Sequence, residues 1–362
     1  MRFIYKIWFA ITVLSLCSCR PDNDEPLSDS VLLVYIGGDN NLSGEVNDKI
    51  SAIQTGFSAY SASAGKHRNR VAIYRAIKGS TPVLYETTAS GKLQLVDSYE
   101  EENSASAEVF GRVLRRVRSL YPAKSYNLLV FSHATGWLPQ GRFLRPVQAG
   151  DDALIAGNIS TRSIIMDGAD EMELSDFASA IPDGMFDCIT FEMCFMAGIE
   201  VAWELRNKCK YILASSAEIV SPGFTEIYKT SLEHLLLPAP ATFSASSGQA
   251  AFGQAVLDGL QTYKPTDWQR SATYSLISVD ALAPLADFIR NRCDFTRTVE
   301  VVGVQRFDRN SYRLFFDMYD YFSRLLDTED DRAELARLIS AAVPWKGATD
   351  NFLLGQGGFK VR

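Results

Sequence analysis

The chain has 362 residues, with 36 Lys and Arg against 43 Asp and Glu, and 47% of it is apolar. That length gives ample core for one large domain or two ordinary ones. A net charge of −7, with no Lys/Arg cluster interleaved with aromatics, argues against nucleic acid or an anionic membrane surface as the main partner.

Arg2 and Lys6 flank the start of an apolar run from Ile7 to Leu16, which is too short to span a bilayer and reads as a signal-peptide core. The run ends in Leu16-Cys17-Ser18-Cys19, which resembles a bacterial lipobox, with Cys19 as the lipidated residue once residues 1–18 are removed. An ordinary secretory signal cleaved nearby is the alternative. Residues 19–29 read as a flexible tether. Its acidic run, Asp22 to Glu25, looks like the export signal of some Bacteroidetes surface lipoproteins. The expected location is therefore the bacterial outer membrane, surface-exposed or periplasm-facing, with a soluble body held by its lipid anchor.

Val31 to Ile36 is a continuous apolar β run, as expected for a strand buried on both faces. A polar turn, Gly37-Gly38-Asp39-Asn40-Asn41-Leu42, leads into a predicted helix over 43–57 with Ser43 as its cap. Val71 to Ala76 is a second strand, and Val83 to Thr87 with Leu93 to Val96 suggests an edge hairpin. A helix is predicted from Ser104, carrying Val109, Phe110, Val113, Leu114 and Val117 on one face. Tyr126 to Phe131 is a third buried strand and runs into Ser132-His133-Ala134-Thr135-Gly136-Trp137. Residues 138–163, rich in Gly, Asp and Ala, read as a long exposed loop. A helix over 174–181 precedes the β run Phe186 to Phe191, and Tyr211 to Ser216 is a further strand. Strands alternating with helices imply a mostly parallel sheet covered on both faces, over 30–237. From about residue 238 a Pro/Ala/Ser linker opens a mainly helical C-terminal subdomain (238–362), packed on the sheet and holding one predicted strand, Thr273 to Val279.

Six cysteines occur, at 17, 19, 188, 194, 209 and 293, with no CxxC spacing in the body and no nearby paired histidines, so no metal site is expected. His67 lies in a basic loop and His234 in a helical segment, whereas His133 directly follows a buried strand. Cys194 also follows a buried strand, and adjacent parallel strands would bring both to one sheet edge, where open α/β sheets carry their reactive groups. A thiolate nucleophile with an imidazole acid/base is the minimal equipment for acyl transfer. Backbone N–H groups, most simply those of Cys194 and Ala134, would hold the oxyanion.

These residues resemble the clostripain-type cysteine peptidases, family C11 of the caspase-like clan CD. Tyr35 to Leu42 is similar to the family's opening Y-x-x-x-D-N-N-L, Ser132 to Trp137 to its D-H-G-S-G-W, and Glu192 to Ala202 to its D-A-C-L-M-x-x-x-E-V-A. Ala214-Ser215, Glu218 and Gly223-Phe224 are similar to the segment after the next strand. The resemblance covers most of residues 30–340. It implies an α/β fold, a caspase-like α/β/α sandwich, and a His133/Cys194 dyad in an endopeptidase that cleaves proteins or peptides after Arg or Lys. Glu192, with Glu218 as second candidate, would supply the S1 carboxylate for the basic side chain. Members of the family can mature by cutting themselves between the histidine and cysteine segments. The site here would be Arg145, with Arg142 as the alternative, in the 138–163 loop. No cofactor is implied; some members need calcium, but no calcium loop stands out.

Ala134 and Ser132 replace the family's usual Gly and Asp, Glu192 replaces Asp, and the usual C-terminal strand is not recognisable. These departures motivate a competing reading, a catalytically impaired surface lipoprotein that binds peptides or glycoproteins. Alanine at 134 would be strained if its backbone needed a positive φ.

Overall fold

The computed structural model describes residues 27–100, 102–138, 163–239, 248–263, 266, 269–308 and 314–352. The expectations for the signal peptide, Cys19, Arg142 and Arg145 lie outside the described residues.

A nine-stranded sheet forms the centre. Its strands are β1 (Val31–Gly38), β2 (Arg70–Ile77), β3 (Ser80–Thr87), β4 (Leu93–Ser98), β5 (Tyr126–Phe131), β8 (Phe186–Glu192), β9 (Cys209–Ala214), β10 (Thr273–Ser278) and β11 (Trp345–Ala348). A separate hairpin pairs β6 (Ser163–Asp167) with β7 (Asp170–Glu173). The sheet order is β11-β10-β9-β8-β5-β1-β2-β3-β4. The five central strands, β2, β1, β5, β8 and β9, run parallel, and each strand outside them pairs antiparallel with its neighbours. All eight residues of β1 are buried, as an apolar run covered on both faces requires.

Helices cover each face. On one lie α1 (Val46–Ala64), α5 (Thr225–Ser231), the short α6 (Glu233–Leu236) and α7 (Gly248–Tyr263), whose Ile50, Phe57, Ile227, Tyr228, Phe252 and Val256 meet Leu32, Val34 and Leu129 of the sheet. On the other lie α2 (Ala107–Leu120), α3 (Leu174–Ala180), α4 (Ile199–Glu204), α8 (Leu282–Arg292) and α10 (Glu329–Ala342). The α2 face is the predicted one: Val109, Phe110, Val113, Leu114 and Val117 are all buried, each contributing roughly 1.5–3 kcal/mol. Its start is Ser106, not Ser104, because the Ser106 Oγ accepts from Val109 N. At 43–45 the chain makes a 3₁₀ turn before α1 begins.

The C-terminal portion does more than place helices on the sheet. It contributes β10 and β11 to the same ladder, with Leu276 opposite Leu213 of β9 and Trp345 opposite Leu276. No boundary near 238 therefore divides the sheet. The last strand escapes sequence reading because it has four residues, one of them Gly347, and only its pairing defines it. Among the described residues no helix is long and apolar enough to cross a membrane.

Candidate active site

β2 and β5 flank β1 on opposite sides, so the chain reverses its winding at β1. At such a reversal the loops at the carboxyl ends diverge and leave a crevice. Register sets what lines it: Ile36 pairs with Phe131 and Phe131 with Glu192. The segments leaving β1, β5 and β8 at that level carry Asn40-Asn41, Ser132-His133 and Met193-Cys194.

The first two segments are pinned to the same atoms. Ser132 Oγ donates to Gly37 O at 2.6 Å and accepts from Met166 N at 3.0 Å. Asn40 Nδ2 donates to Gly37 O at 3.0 Å and Met166 O at 2.9 Å, while its Oδ1 accepts from Leu42 N at 2.9 Å. Within this frame His133 Nε2 lies 2.5 Å from Asn41 Oδ1. Burial penalises the imidazolium and lowers the His133 pKa from 6.5 to about 4, so the ring is neutral at physiological pH.

Cys194 sits in a tight turn after β8. Its Sγ accepts from Ile219 N at 3.4 Å. The next residue, Phe195, has φ +61°, a left-handed conformation that costs a non-glycine residue on the order of 1–3 kcal/mol and clusters at functional sites. Packing holds it there: Phe195 N donates to Ala217 O at 3.0 Å, Ala197 N to Ser215 O at 2.9 Å, and the Phe195 ring stacks on Phe315 with centroids 4.2 Å apart. The histidine loop presses on this turn. Gly136 has φ +64°, and a Cβ there would lie 2.7 Å from Phe195 O. An apolar cavity of about 350 Å³ adjoins the turn, between Ala197–Ala202 and the helices at the C-terminal end.

Ala134 is unstrained. Among the described non-glycine residues, only Ile165 and Phe195 have a left-handed φ. Ala134 faces Ile164 in an isolated antiparallel bridge whose hydrogen bond runs from Thr135 N to Ser163 O, so the Ala134 N–H is directed away from that strand. Phe195 N is committed to Ala217.

Glu192 requires a correction. Expected at the floor of an S1 pocket, its side chain is 1% exposed and paired with Lys49, Nζ to Oε1 at 2.6 Å. Oε1 also accepts from Phe224 N at 2.6 Å and Oε2 from Tyr228 Oη at 2.5 Å. Burial and the Glu192 charge hold the Tyr228 phenol well above its ordinary 10, so it stays a donor. Gly223 makes room, since a Cβ there would lie 2.0 Å from Glu192 Oε1. Both carboxylate oxygens thus bind the 222–228 segment and α1. Glu218 is half-buried and adjoins Ile219, the donor to Cys194.

Two residues of this arrangement escaped the sequence reading. Asn41 falls within the D-N-N-L match, but the match gives it no role of its own. Lys49 carried a usable signal, because it lies among Val46, Ile50 and Ile53 on the buried stripe of α1, where a lysine needs a partner. Among the described residues no group of three His, Cys, Asp or Glu is placed to hold a metal ion.

The family model of the clostripain family, peptidase C11, matches residues 34–235, more than half of the chain and the whole span from the Asn41 turn to the Cys194 turn. The chain belongs to the clostripain family. It is a cysteine peptidase. An inactive zymogen C11 protease from Parabacteroides distasonis is 26% identical, with a TM-score of 0.70 over 89% of this chain and 84% of that one. Two secreted C11 cysteine proteases from Bacteroides thetaiotaomicron share the fold. One, in complex with an irreversible peptide inhibitor, is 23% identical with a TM-score of 0.70 over 89% of this chain and 85% of that one. The other is 20% identical with a TM-score of 0.74 over 90% and 87%. No curated protein matches the chain. The α/β fold of the caspase-like C11 proteases is thereby that of this peptidase.

Cys194 is half-buried, whereas Cys188, Cys209 and Cys293 are buried. Burial pushes the Cys188 thiol up to about 12, Cys209 well above its ordinary 9, and raises Cys293. Limiting iodoacetamide at neutral pH is therefore expected to alkylate Cys194 before these three, since thiolate is the reacting species. Peptide mapping reads the order, and equal modification of all four would refute it.

Proposed function

We propose that this cysteine peptidase is an endopeptidase working through a dyad of His133 and Cys194 and cleaving after Arg or Lys. The observation that carries the reading is the shared sheet edge, where Phe131 pairs with Glu192 and each strand ends two residues before a dyad member. The Cys194 Sγ attacks the scissile carbonyl carbon, and its proton passes to His133. The oxyanion forms against the N–H groups of Cys194 and Ala134. As the intermediate collapses, the C–N bond breaks and His133 returns the proton to the leaving amine. A water then adds to the thioester, giving a proton to His133; the C–S bond breaks and the sulfur recovers that proton. A neutral imidazole, as burial secures here, is the state that can take the first proton.

With Glu192 engaged by Lys49, the preference for a basic side chain rests on Glu218, beside the residue that contacts the nucleophile. Self-activation by cleavage at Arg145, or at Arg142, is supported by the described flanks on either side: Ser163 N donates to Leu138 O at 3.0 Å, so a cut between them leaves both ends anchored. The similar Parabacteroides protein is described as an inactive zymogen, in keeping with such activation. The lipid anchor at Cys19 and an outer-membrane position belong to the same reading and rest on the sequence alone.

Mass spectrometry of purified wild type beside Cys194→Ala tests the proposal. Two fragments divided after Arg145 or Arg142 in wild type only are expected. An uncut wild type that also fails to hydrolyse peptides with Arg or Lys at P1, before and after trypsin nicking, would overturn it.

A further inference from the structure

We infer that Asn41 is a positioning residue of the dyad: its Oδ1 accepts the Nε2 proton of His133 and holds the imidazole in the tautomer whose Nδ1 exchanges protons with the reacting groups. The inference rests on the His133/Cys194 reading above and adds a residue to which that reading gives no role.

Three observations carry it. The first is the contact itself, 2.5 Å from His133 Nε2 to Asn41 Oδ1. An amide oxygen only accepts, so Nε2 must be the protonated nitrogen and Nδ1 carries the lone pair. The second is rigidity. Asn40 supplies the bonds that shape the turn, to Gly37 O, Met166 O and Leu42 N, which leaves the neighbouring Asn41 side chain to reach His133. The loop carrying His133 is fastened to the same Gly37 O through Ser132 Oγ. The acceptor and the ring it orients therefore share one anchor at the end of β1, and motion of one relative to the other would break both sets of bonds. The third is exposure: Asn41 is on the surface. An asparagine there loses nothing by turning to water, unless the contact has a use.

The partner's neutrality also matters. A carboxylate in the place of the Asn41 amide would stabilise imidazolium and raise the ring's pKa. An amide orients the ring without that charge, so burial keeps it neutral. Asp39 in the same turn has its pKa raised by burial and by the Asp167 charge at the end of β6, and neither residue is altered in the variants below.

The test compares Asn41→Ala, Asn41→Asp and Asn40→Ala with wild type in steady-state kinetics over pH and in thermal melting. Asn41→Ala is expected to lower kcat by about 10- to 100-fold, part of the ~10²–10⁴-fold that general acid/base catalysis supplies, with KM and Tm little changed. Asn41→Asp keeps an acceptor, so its kcat above the acid limb should lie closer to wild type, while the limb itself moves up by about one pH unit or more as the carboxylate favours imidazolium. Asn40→Ala should lower Tm, because it breaks the turn. Wild-type kcat in Asn41→Ala, an unmoved limb in Asn41→Asp, or a Tm loss in Asn41→Ala equal to that of Asn40→Ala would each overturn the inference. Full activity in His133→Ala would instead sink the dyad, whereas an inert Asn41 beside an essential His133 removes only the positioning role.

Discussion

Replacing Lys49 by methionine is expected to destabilise the protein by about 3–5 kcal/mol, because it leaves the Glu192 carboxylate buried without its counter-ion. The lysine Nζ is 2.6 Å from Glu192 Oε1, 2.8 Å from Pro222 O and 3.1 Å from Thr225 Oγ1, and it lies 4.4 Å from the centroid of the Phe131 ring. Methionine fills the volume but offers none of these donors. Glu192→Gln keeps a side chain that can bond Tyr228 and Phe224, yet strands the lysine charge, and should also cost several kcal/mol. The double variant, Lys49→Met with Glu192→Gln, should lose clearly less than the sum, since neither charge is then left alone. Denaturant melts of the four proteins measure this cycle. A Lys49→Met protein within about 0.5 kcal/mol of wild type, as an ordinary surface substitution would be, would show that the pair is not a structural tie. The consequence reaches the site, because Glu192 is the last residue of β8, two before Cys194, and holds the segment that carries Ile219 toward α5.

Cys194→Ala is expected to abolish peptide hydrolysis, by about 10⁴-fold or more, with the fold intact, since alanine removes the thiol proposed as nucleophile. His133→Ala should lose about 10²–10⁴-fold, the usual worth of a positioned acid/base. The double variant should be no worse than Cys194→Ala, as expected of two groups of one proposed dyad. The pH dependence separates catalysis from folding. With the ring's pKa lowered to about 4, imidazole is neutral above that value and becomes charged as pH falls through it. The acid limb of kcat/KM that belongs to His133 should therefore lie near pH 4, not near 6.5, and should vanish in His133→Ala. A histidine limb near 6.5 would mean that the ring is solvated in the working enzyme.

Much of the architecture is legible in the chain. The apolar runs of β1, β5 and β8 are long enough, and flat enough in hydrophobicity, to announce strands buried on both faces. His133 and Cys194 stand out because each follows such a run, and a parallel sheet delivers strand ends to one edge. Asn41 falls within the D-N-N-L match, but that match does not say which polar residue of the turn has a partner. Its neighbours in the turn are equally polar, and only the register of β1 against β5 brings its side chain to the imidazole. The hairpin β6–β7 and the edge strand β11 are short, and their identity comes from what they pair with.

Glu192 shows where the division falls. Sequence alone places an acidic residue two positions before Cys194, and with it the expectation of a pocket carboxylate. Which face of the sheet that side chain enters, and what waits there, depends on how α1 and α5 pack. The lysine that meets it is 143 residues away in the chain. Alternation along a strand and spacing along a helix are local properties, so the amino-acid order determines the strands, the helix faces and the two reactive side chains at their ends. Partnership across the core is a property of assembled layers. Only the tertiary structure assigned Glu192 to Lys49 and His133 to Asn41, because a buried charge or a half-buried ring takes whichever partner the packing brings within reach.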